Sequence, residues 1–196
     1  MYNRSFSLMS AQNSLLLLID IQERLVPSVY CGDMLVFNVQ RLIMAANALK
    51  TQVVVSEQYP EKLGLTVPAI TQNLLTGTKM FTKKSFSVCA VPEFSSFIEN
   101  EPAQKVIICG VELHVCVLQS AFDLMLLGKE IVIVTDACAC RFRNDYDAAI
   151  RRLDSAGATL ATTETVMFEW CETAANPAFR TISKLAKAKE RERTTI

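Results

Sequence analysis

The chain has 196 residues, of which 51% are hydrophobic, so it is long enough for one α/β domain with a sizeable core and short for two. Its 20 basic residues balance 20 acidic ones, which argues against a positive field that attracts nucleic acid or anionic lipid. No apolar stretch is long enough to span a bilayer, so no membrane partner is expected. We expect a single domain over residues 1–196, with a flexible N-terminus at 1–13 and a frayed tail at 188–196.

The seven cysteines are an odd number, and no secretory signal pattern precedes them. Residues 1–14 are polar, and the apolar run that follows is short and ends at Asp20. The cysteines are therefore predicted to be reduced and the protein to be intracellular. The cytoplasm is the expected compartment, and a short mitochondrial targeting segment around Arg4 is the alternative.

The first part of the chain alternates predicted strands with helices. Residues 15–20 form an aliphatic run that ends in an acid, which is typical of a central parallel strand. An amphipathic helix is predicted over 33–50 with Asp33 as its N-cap, followed by a second strand at 53–57. A loop at 58–78 then leads to a short third strand at 79–84.

The second part repeats this alternation. A buried strand at 106–109 breaks at Gly110, and apolar spacing then predicts a helix with Cys116 at its entrance, where free backbone N–H groups favour a thiolate. Strands at 130–136 and 158–162 follow, with helices at 145–156, at 166–171 and from 176 onward. The pattern predicts a three-layer α/β/α domain with a six-stranded parallel sheet of order 3-2-1-4-5-6, which brings Asp20 and Cys116 to one crevice.

Three motifs carry a resemblance to a known family. Residues 110–117, GVELHVCV, resemble the G-V-x-x-x-x-C-V signature of the isochorismatase-like (cysteine hydrolase) family. Residues 20–22 resemble its D-x-Q, and residues 83–87, KKSFS, resemble its K-x-x-(Y/F)-S. The phrases SEQYP at 56–60 and DAC at 136–138 are most similar to the isochorismatase domain-containing branch. The resemblance spans essentially the whole chain and implies a Rossmann-like isochorismatase fold.

The resemblance implies a metal-independent cysteine hydrolase that acts on a small amide, imide or vinyl-ether-like substrate. It assigns Cys116 as the nucleophile, Asp20 as the general acid and base, and Lys83 as their electrostatic partner. These residue types suit one another, because a lysine cation favours a thiolate and a carboxylate can accept the thiol proton. The resemblance also implies a cis peptide at Val111–Glu112, and we expect backbone N–H groups of that turn and of Cys116 to hold an oxyanion.

Four further residues are expected to line the substrate pocket: Gln22, Tyr59, Phe86 and Leu113. Leu113 replaces the small or hydroxylated residue that is common at this place in the family. No cofactor and no catalytic metal are expected, because the chain has one histidine, His114, which we interpret as a packed or capping residue. A metal or redox role for the cysteines of residues 138–140 is not expected either, since no partner ligands accompany them.

Two other classes of function stay open. In the first, the chain is not an enzyme, and its site is a vestige in an oligomeric interaction module. In the second, it is a ribonuclease-like protein that uses Lys79, Lys83, Lys84 and the charged tail at 184–193, although the neutral net charge argues against a nucleic-acid partner. The family implies a homo-oligomer, a dimer or larger, and Trp170 and Phe179 in the last helices are candidate contacts. The alternative is that these rings cover the outer layer of the sheet.

Overall fold

The structure is a computed structural model, and it describes residues 3–189. Among these residues, parallel strands form one sheet in the order β3-β2-β1-β4-β5-β6. The strands are β1 (Ser14–Ile19), β2 (Gln52–Gln58), β3 (Lys79–Lys83), β4 (Lys105–Val111), β5 (Glu130–Ala139) and β6 (Thr159–Ala161). The predicted fold class and strand order are confirmed.

Helices connect the strands and cover the sheet. They are α1 (Gly32–Leu49), α2 (Pro60–Leu63), α3 (Pro68–Thr71), α4 (Pro92–Glu99), α5 (Leu118–Leu126), α6 (Arg143–Ser155), α7 (Thr163–Cys171) and α8 (Phe179–Ala186). Helices α1, α7 and α8 pack against one another, and α5 packs against α6. Right-handed crossovers place α1 and α5 on opposite faces, because the chain moves in opposite directions along the sheet from β1 and from β4.

The sheet has its most buried strands at its centre. Every residue of β1 and of β4 is buried, which explains why both read as continuous apolar runs. Strand β4 continues through Gly110 to Val111 instead of breaking at the glycine. A Cβ at Gly110 would lie 2.0 Å from the carbonyl oxygen of Ile19, so the absent side chain lets the two strands stay paired there.

Several predicted boundaries were wrong by a few residues. Helix α1 has Cys31 as its N-cap, in a left-handed conformation, and Asp33 lies in its first turn. Strand β5 runs on to Ala139, three residues beyond the predicted end. Helix α8 begins at Phe179, after Pro177, rather than at 176. The predicted loop at 58–78 contains the short helices α2 and α3.

The apolar side chains of the last helices mostly cover the sheet. Trp170 is 1% exposed and Ile182 is fully buried, whereas Phe179 is half-buried. The interpretation of Trp170 as an intersubunit contact was therefore wrong, since its ring is already buried within one chain. The guanidinium of Arg4 donates to the carbonyl oxygens of Met9 and Glu169, which ties the start of the described chain to α7.

None of the helices within residues 3–189 combines the length and the apolar character that crossing a bilayer requires. The predicted frayed tail lies outside the described residues except for positions 188 and 189.

Candidate active site

The sheet order brings three predicted site residues to one edge. Asp20 directly follows β1, Lys83 is the last residue of β3, and Cys116 lies in a π-helical turn, Leu113–Val117, that follows β4. Their exposed fractions are 0%, 2% and 6%, respectively. Because β1 pairs with both β2 and β4, the carboxyl ends of these strands form one buried crevice.

Asp20 and Lys83 form a buried ion pair. Lys83 Nζ lies 2.6 Å from Asp20 Oδ2, and neither side chain is exposed. The other carboxylate oxygen, Oδ1, accepts a hydrogen bond of 2.8 Å from Ser56 Oγ. Lys83 Nζ also donates to Gln58 Oε1 at 2.6 Å, so both charges have the polar partners that burial demands. Burial raises the pKa of Asp20, and the Lys83 charge opposes that rise.

The Cys116 thiol completes this group. Its Sγ lies 3.8 Å from Gln58 Oε1, the same oxygen that accepts from Lys83. Burial raises the pKa of Cys116 to about 12, the Asp20 charge adds to the rise, and the Lys83 charge opposes it. The expectation of a favoured thiolate was wrong, because Cys116 is the fourth residue of a buried π-helical turn and not an exposed residue at a helix entrance. The resting form of the group is the thiol.

The turn that carries Cys116 has an unusual backbone. The Val111–Glu112 peptide bond is cis, and the Glu112 carbonyl oxygen accepts hydrogen bonds from the N–H groups of Val115 and Val117. The Glu112 carboxylate accepts two contacts from Arg141, one from its backbone N–H and one from Nε, each at 3.0 Å. The glutamate therefore ties the turn to the segment after β5.

The four expected pocket residues differ in position. The side-chain amide of Gln22 is committed to backbone: Nε2 donates to the carbonyl oxygens of Gln58 and Gly64, and Oε1 accepts from the Gln58 N–H. Leu113 is fully buried, whereas Tyr59 and Phe86 are 36% and 54% exposed. Gln22 thus fixes the loop beside the site, and only the two aromatic rings present a surface to solvent.

Two polar residues of the site were missed by the sequence analysis. Ser56 and Gln58 come from the carboxyl end of β2, and both are buried. Glu57 lies between them in the strand. Its Oε1 accepts hydrogen bonds of 2.7 Å from the backbone N–H and from the hydroxyl of Thr66. The signal was a polar triplet where a central parallel strand normally continues with aliphatic residues, which indicates side chains with partners at that edge.

Within residues 3–189, no cluster of three or more His, Cys, Asp and Glu side chains is arranged to hold a metal ion. The site instead offers a thiol, a carboxylate and an ammonium group in one buried crevice. These groups can accept, hold and return a proton and can form a covalent bond to an electrophilic carbon.

Comparisons with known proteins show which chains this one is similar to. Residues 14–165 match the family model described as the isochorismatase domain. Isochorismatase domain-containing protein 2 of Danio rerio is 37% identical over 177 residues, which cover 90% of this chain and 88% of that protein. A solved structure described as the MAR1 ribonuclease of Caenorhabditis elegans has a TM-score of 0.88 at 32% identity and covers 96% of both chains.

A more distant structure has the same fold. The YcaC gene product of Escherichia coli, described as an octameric hydrolase of unknown specificity, has a TM-score of 0.86 at 21% identity, over 93% of this chain and 91% of that one. The resemblance first drawn from three short motifs is thus confirmed over most of the sequence, and the fold is that of isochorismatase-family hydrolases. The chain belongs to the isochorismatase family.

Proposed function

We propose that this protein is a metal-independent cysteine hydrolase that acts on a small amide, imide or vinyl-ether-like substrate. Cys116 is the nucleophile, Asp20 is the general acid and base, and Lys83 is the cation that balances the developing charge. The observation that carries the proposal is the buried ion pair of Asp20 and Lys83, 2.6 Å apart, which shares Gln58 with the Cys116 thiol. Burying two charges carries a desolvation cost, and charged groups buried in a crevice are typical of functional sites. Proton transfer to and from the neighbouring thiol is a function that this pair can perform.

The high pKa of Cys116 decides how the attack begins. Because the thiol is protonated at neutral pH, the sulfur needs a base at the moment of attack, and Asp20 is the carboxylate close enough to influence its charge. As the bond from sulfur to the carbonyl carbon forms, Asp20 takes the thiol proton and the carbonyl π electrons move to oxygen. Asp20 becomes neutral as it takes the proton, and the Lys83 ammonium stabilises the negative charge that moves through the sulfur to the carbonyl oxygen.

The remaining steps return each group to its starting state. Backbone N–H groups of Cys116 and of the Val111–Glu112 turn donate to the oxyanion in this proposal. Asp20 then gives its proton to the leaving nitrogen as the carbon–nitrogen bond breaks, and a thioester stays on Cys116. A water molecule, deprotonated by Asp20, attacks the thioester carbon, and the released sulfur recovers the proton.

Hydrolysis of a panel of small amides and imides tests this function. Cys116→Ser should abolish turnover, and the peptide that contains Cys116 should carry the acyl mass when the reaction is quenched early. Cys89→Ser is the control, because Cys89 is half-buried and its sulfur lies 4.0 Å from the carbonyl oxygen of Ser120 instead of beside Gln58. Chelator should leave turnover unchanged. Turnover that survives in Cys116→Ser, or that chelator removes and zinc restores, would contradict the proposal.

A nucleic-acid substrate is not favoured, although three of the similar solved structures are described as ribonucleases. The lysines in and directly after β3 are engaged elsewhere, and residues 190–193 of the charged tail lie outside the described residues. Lys83 is buried against Asp20, Lys79 lies over the ring of Phe97 at 5.6 Å, and Lys84 lies over the ring of Tyr59 at 4.9 Å. With a net charge of zero, the chain also lacks the field that phosphate binding normally uses. If the site were a vestige in an interaction module, no hydrolysis would be detected, and Cys116→Ser would therefore change no measured rate.

A further inference from the structure

A second cysteine has the partners of a nucleophile. The Sγ of Cys140 lies 3.2 Å from Nδ1 of His114, and Nε2 of the same ring lies 3.8 Å from Oδ2 of Asp145. The three side chains come from different elements: the π-helical turn after β4, the segment directly after β5 and the first turn of α6. His114 is the one histidine in the sequence, and the interpretation of it as a merely packed or capping residue misses both contacts.

The arrangement assigns the roles of the two ring nitrogens. At 3.8 Å the Asp145 carboxylate is an electrostatic neighbour of Nε2 rather than a hydrogen-bond acceptor, and its charge favours the tautomer with a hydrogen on Nε2 and with Nδ1 as the acceptor that faces the Cys140 thiol. The Glu112 carboxylate also faces this region, and it is bound to Arg141 at 3.0 Å. A thiol, a base and a residue that orients the base thus stand in the order that activates a cysteine nucleophile.

A cavity of about 290 Å³ gives this group room for a ligand. Cys140 forms part of its wall, together with Met34, Phe142 and Tyr146. The ring of Phe142 is 63% exposed, which leaves the rim open to solvent, and the Tyr146 hydroxyl is already bound to the carbonyl oxygen of Thr135. Arg143 and Asp136 also line the cavity, but Arg143 is paired with Asp147 at 2.9 Å and the Asp136 carboxylate accepts hydrogen bonds from Thr163, so each charge already has a partner. Such a wall suits a small uncharged molecule.

We propose that Cys140 is a second nucleophilic site, which captures small uncharged α,β-unsaturated carbonyl compounds in this cavity. His114 takes the thiol proton as the bond from sulfur to the β-carbon forms, and the alkene π electrons move to the carbonyl as an enolate. The proton then passes from His114 to the α-carbon, so the adduct needs no oxidant or other reactant. Asp145 is a positioning residue, which acts on the sulfur only through His114. This site is independent of Cys116 and of the proposed hydrolase function.

Two other cysteines of the same cavity serve as internal controls for the reactivity of Cys140. Cys31 and Cys138 also line this cavity. Cys31 is exposed, and the Cys138 sulfur lies 3.8 Å from the carbonyl oxygen of Ile108. Burial raises the pKa of Cys140, so without a base its sulfur should react more slowly than the exposed thiol of Cys31. A rate at Cys140 that rivals or exceeds that of Cys31 therefore reports the action of His114.

Acrylamide at neutral pH, followed by peptide mapping over time, tests the proposal. We expect alkylation of Cys140 at a rate at least equal to that of Cys31, and a loss of roughly tenfold or more at Cys140 in His114→Gln with Cys31 unchanged. Asp145→Asn is a second variant with less risk to folding, because its side chain is 43% exposed. It should slow the alkylation of Cys140. It should also move the imidazole ¹⁵N signals, which belong to His114 alone, toward those of the other tautomer.

Two results would overturn the proposal. One is a Cys140 that stays unmodified in the wild-type protein while Cys31 is fully alkylated. The other is an unchanged Cys140 rate in both His114→Gln and Asp145→Asn, when circular dichroism shows that both variants are folded. Alkylation of Cys116 in the same maps is read separately, so the outcome at Cys140 does not depend on the hydrolase proposal.

Discussion

The side-chain oxygen of Gln58 accepts a 2.6 Å hydrogen bond from Lys83, and the same oxygen lies 3.8 Å from the Cys116 sulfur. Its Nε2 donates to the carbonyl oxygen of Lys84 at 2.8 Å, which fixes the orientation of the amide. One glutamine thus joins the cation to the thiol. Gln58 lies in the phrase SEQYP, but no site role was assigned to it, because that role arises from the pairing of β2 with β3.

Replacing Gln58 by leucine should destabilise the protein and disturb the site. The variant leaves the Lys83 ammonium short of one acceptor in a buried place, which costs about 1–3 kcal/mol in the free energy of unfolding. Urea denaturation measures this loss. Gln52→Leu is the matched control, because Gln52 is an exposed residue at the start of the same strand and should change the free energy of unfolding little. Equal stability of the two variants would contradict the assigned role of Gln58.

The buried ion pair predicts a non-additive double-mutant cycle. Asp20→Asn or Lys83→Met alone leaves an uncompensated buried charge and should lower the free energy of unfolding by about 3–5 kcal/mol. The double variant removes both charges and should lose much less than the sum of the two. Denaturant unfolding of the four proteins gives the coupling energy. A double variant that loses the full sum would show that the two groups do not act as a pair.

The pKa of Cys116 predicts how stability depends on pH. The pKa is raised from 9.0 to about 12 in the folded chain, so the folded state holds the thiol proton more tightly than the unfolded state does. This contribution is fully present below pH 9 and is lost as the pH rises toward 12. Cys116→Ala removes it, so the free energy of unfolding should fall less steeply between these pH values than in the wild type. Parallel slopes would show that the folded thiol titrates normally.

The sequence predicted the sheet and its order because the central strands carry an unambiguous signal. The run of buried aliphatic residues in β1, the glycine near the end of β4 and the cysteine after that strand suffice to place Asp20 near Cys116. The protonation of the thiol was not predictable, because it depends on how completely Cys116 is buried. The contact of His114 with Cys140 was not predictable either, since it depends on the extension of β5 and on a π-helical turn in place of an α-helix.

Gly110 should tolerate no side chain. Its φ of 132° is unfavourable for other residues, and a Cβ would lie 2.0 Å from the Ile19 carbonyl oxygen. Gly110→Ala is therefore expected to cost about 3 kcal/mol or more, because backbone atoms of two central strands must move apart. Gly77→Ala is the control: its φ is also positive, at 86°, but no atom lies within 4 Å, so only the conformational cost of about 1–2 kcal/mol applies. Thermal unfolding of both variants measures the difference.

Self-association should depend on the edge of the sheet and not on Trp170. Strand β6 is at the edge, and its Leu160 is 36% exposed, which leaves apolar surface next to unpaired backbone groups; Phe168 of α7, the helix that follows β6, is 40% exposed. If the protein is a dimer or larger, as the family resemblance implies, light scattering should show dissociation for Phe168→Glu with the circular dichroism spectrum unchanged. Trp170→Glu should instead unfold the chain, because it places a charge in the core. A wild-type protein that is monomeric at micromolar concentration would contradict the oligomer. An oligomer that stays intact in Phe168→Glu would show that the contact lies on another face.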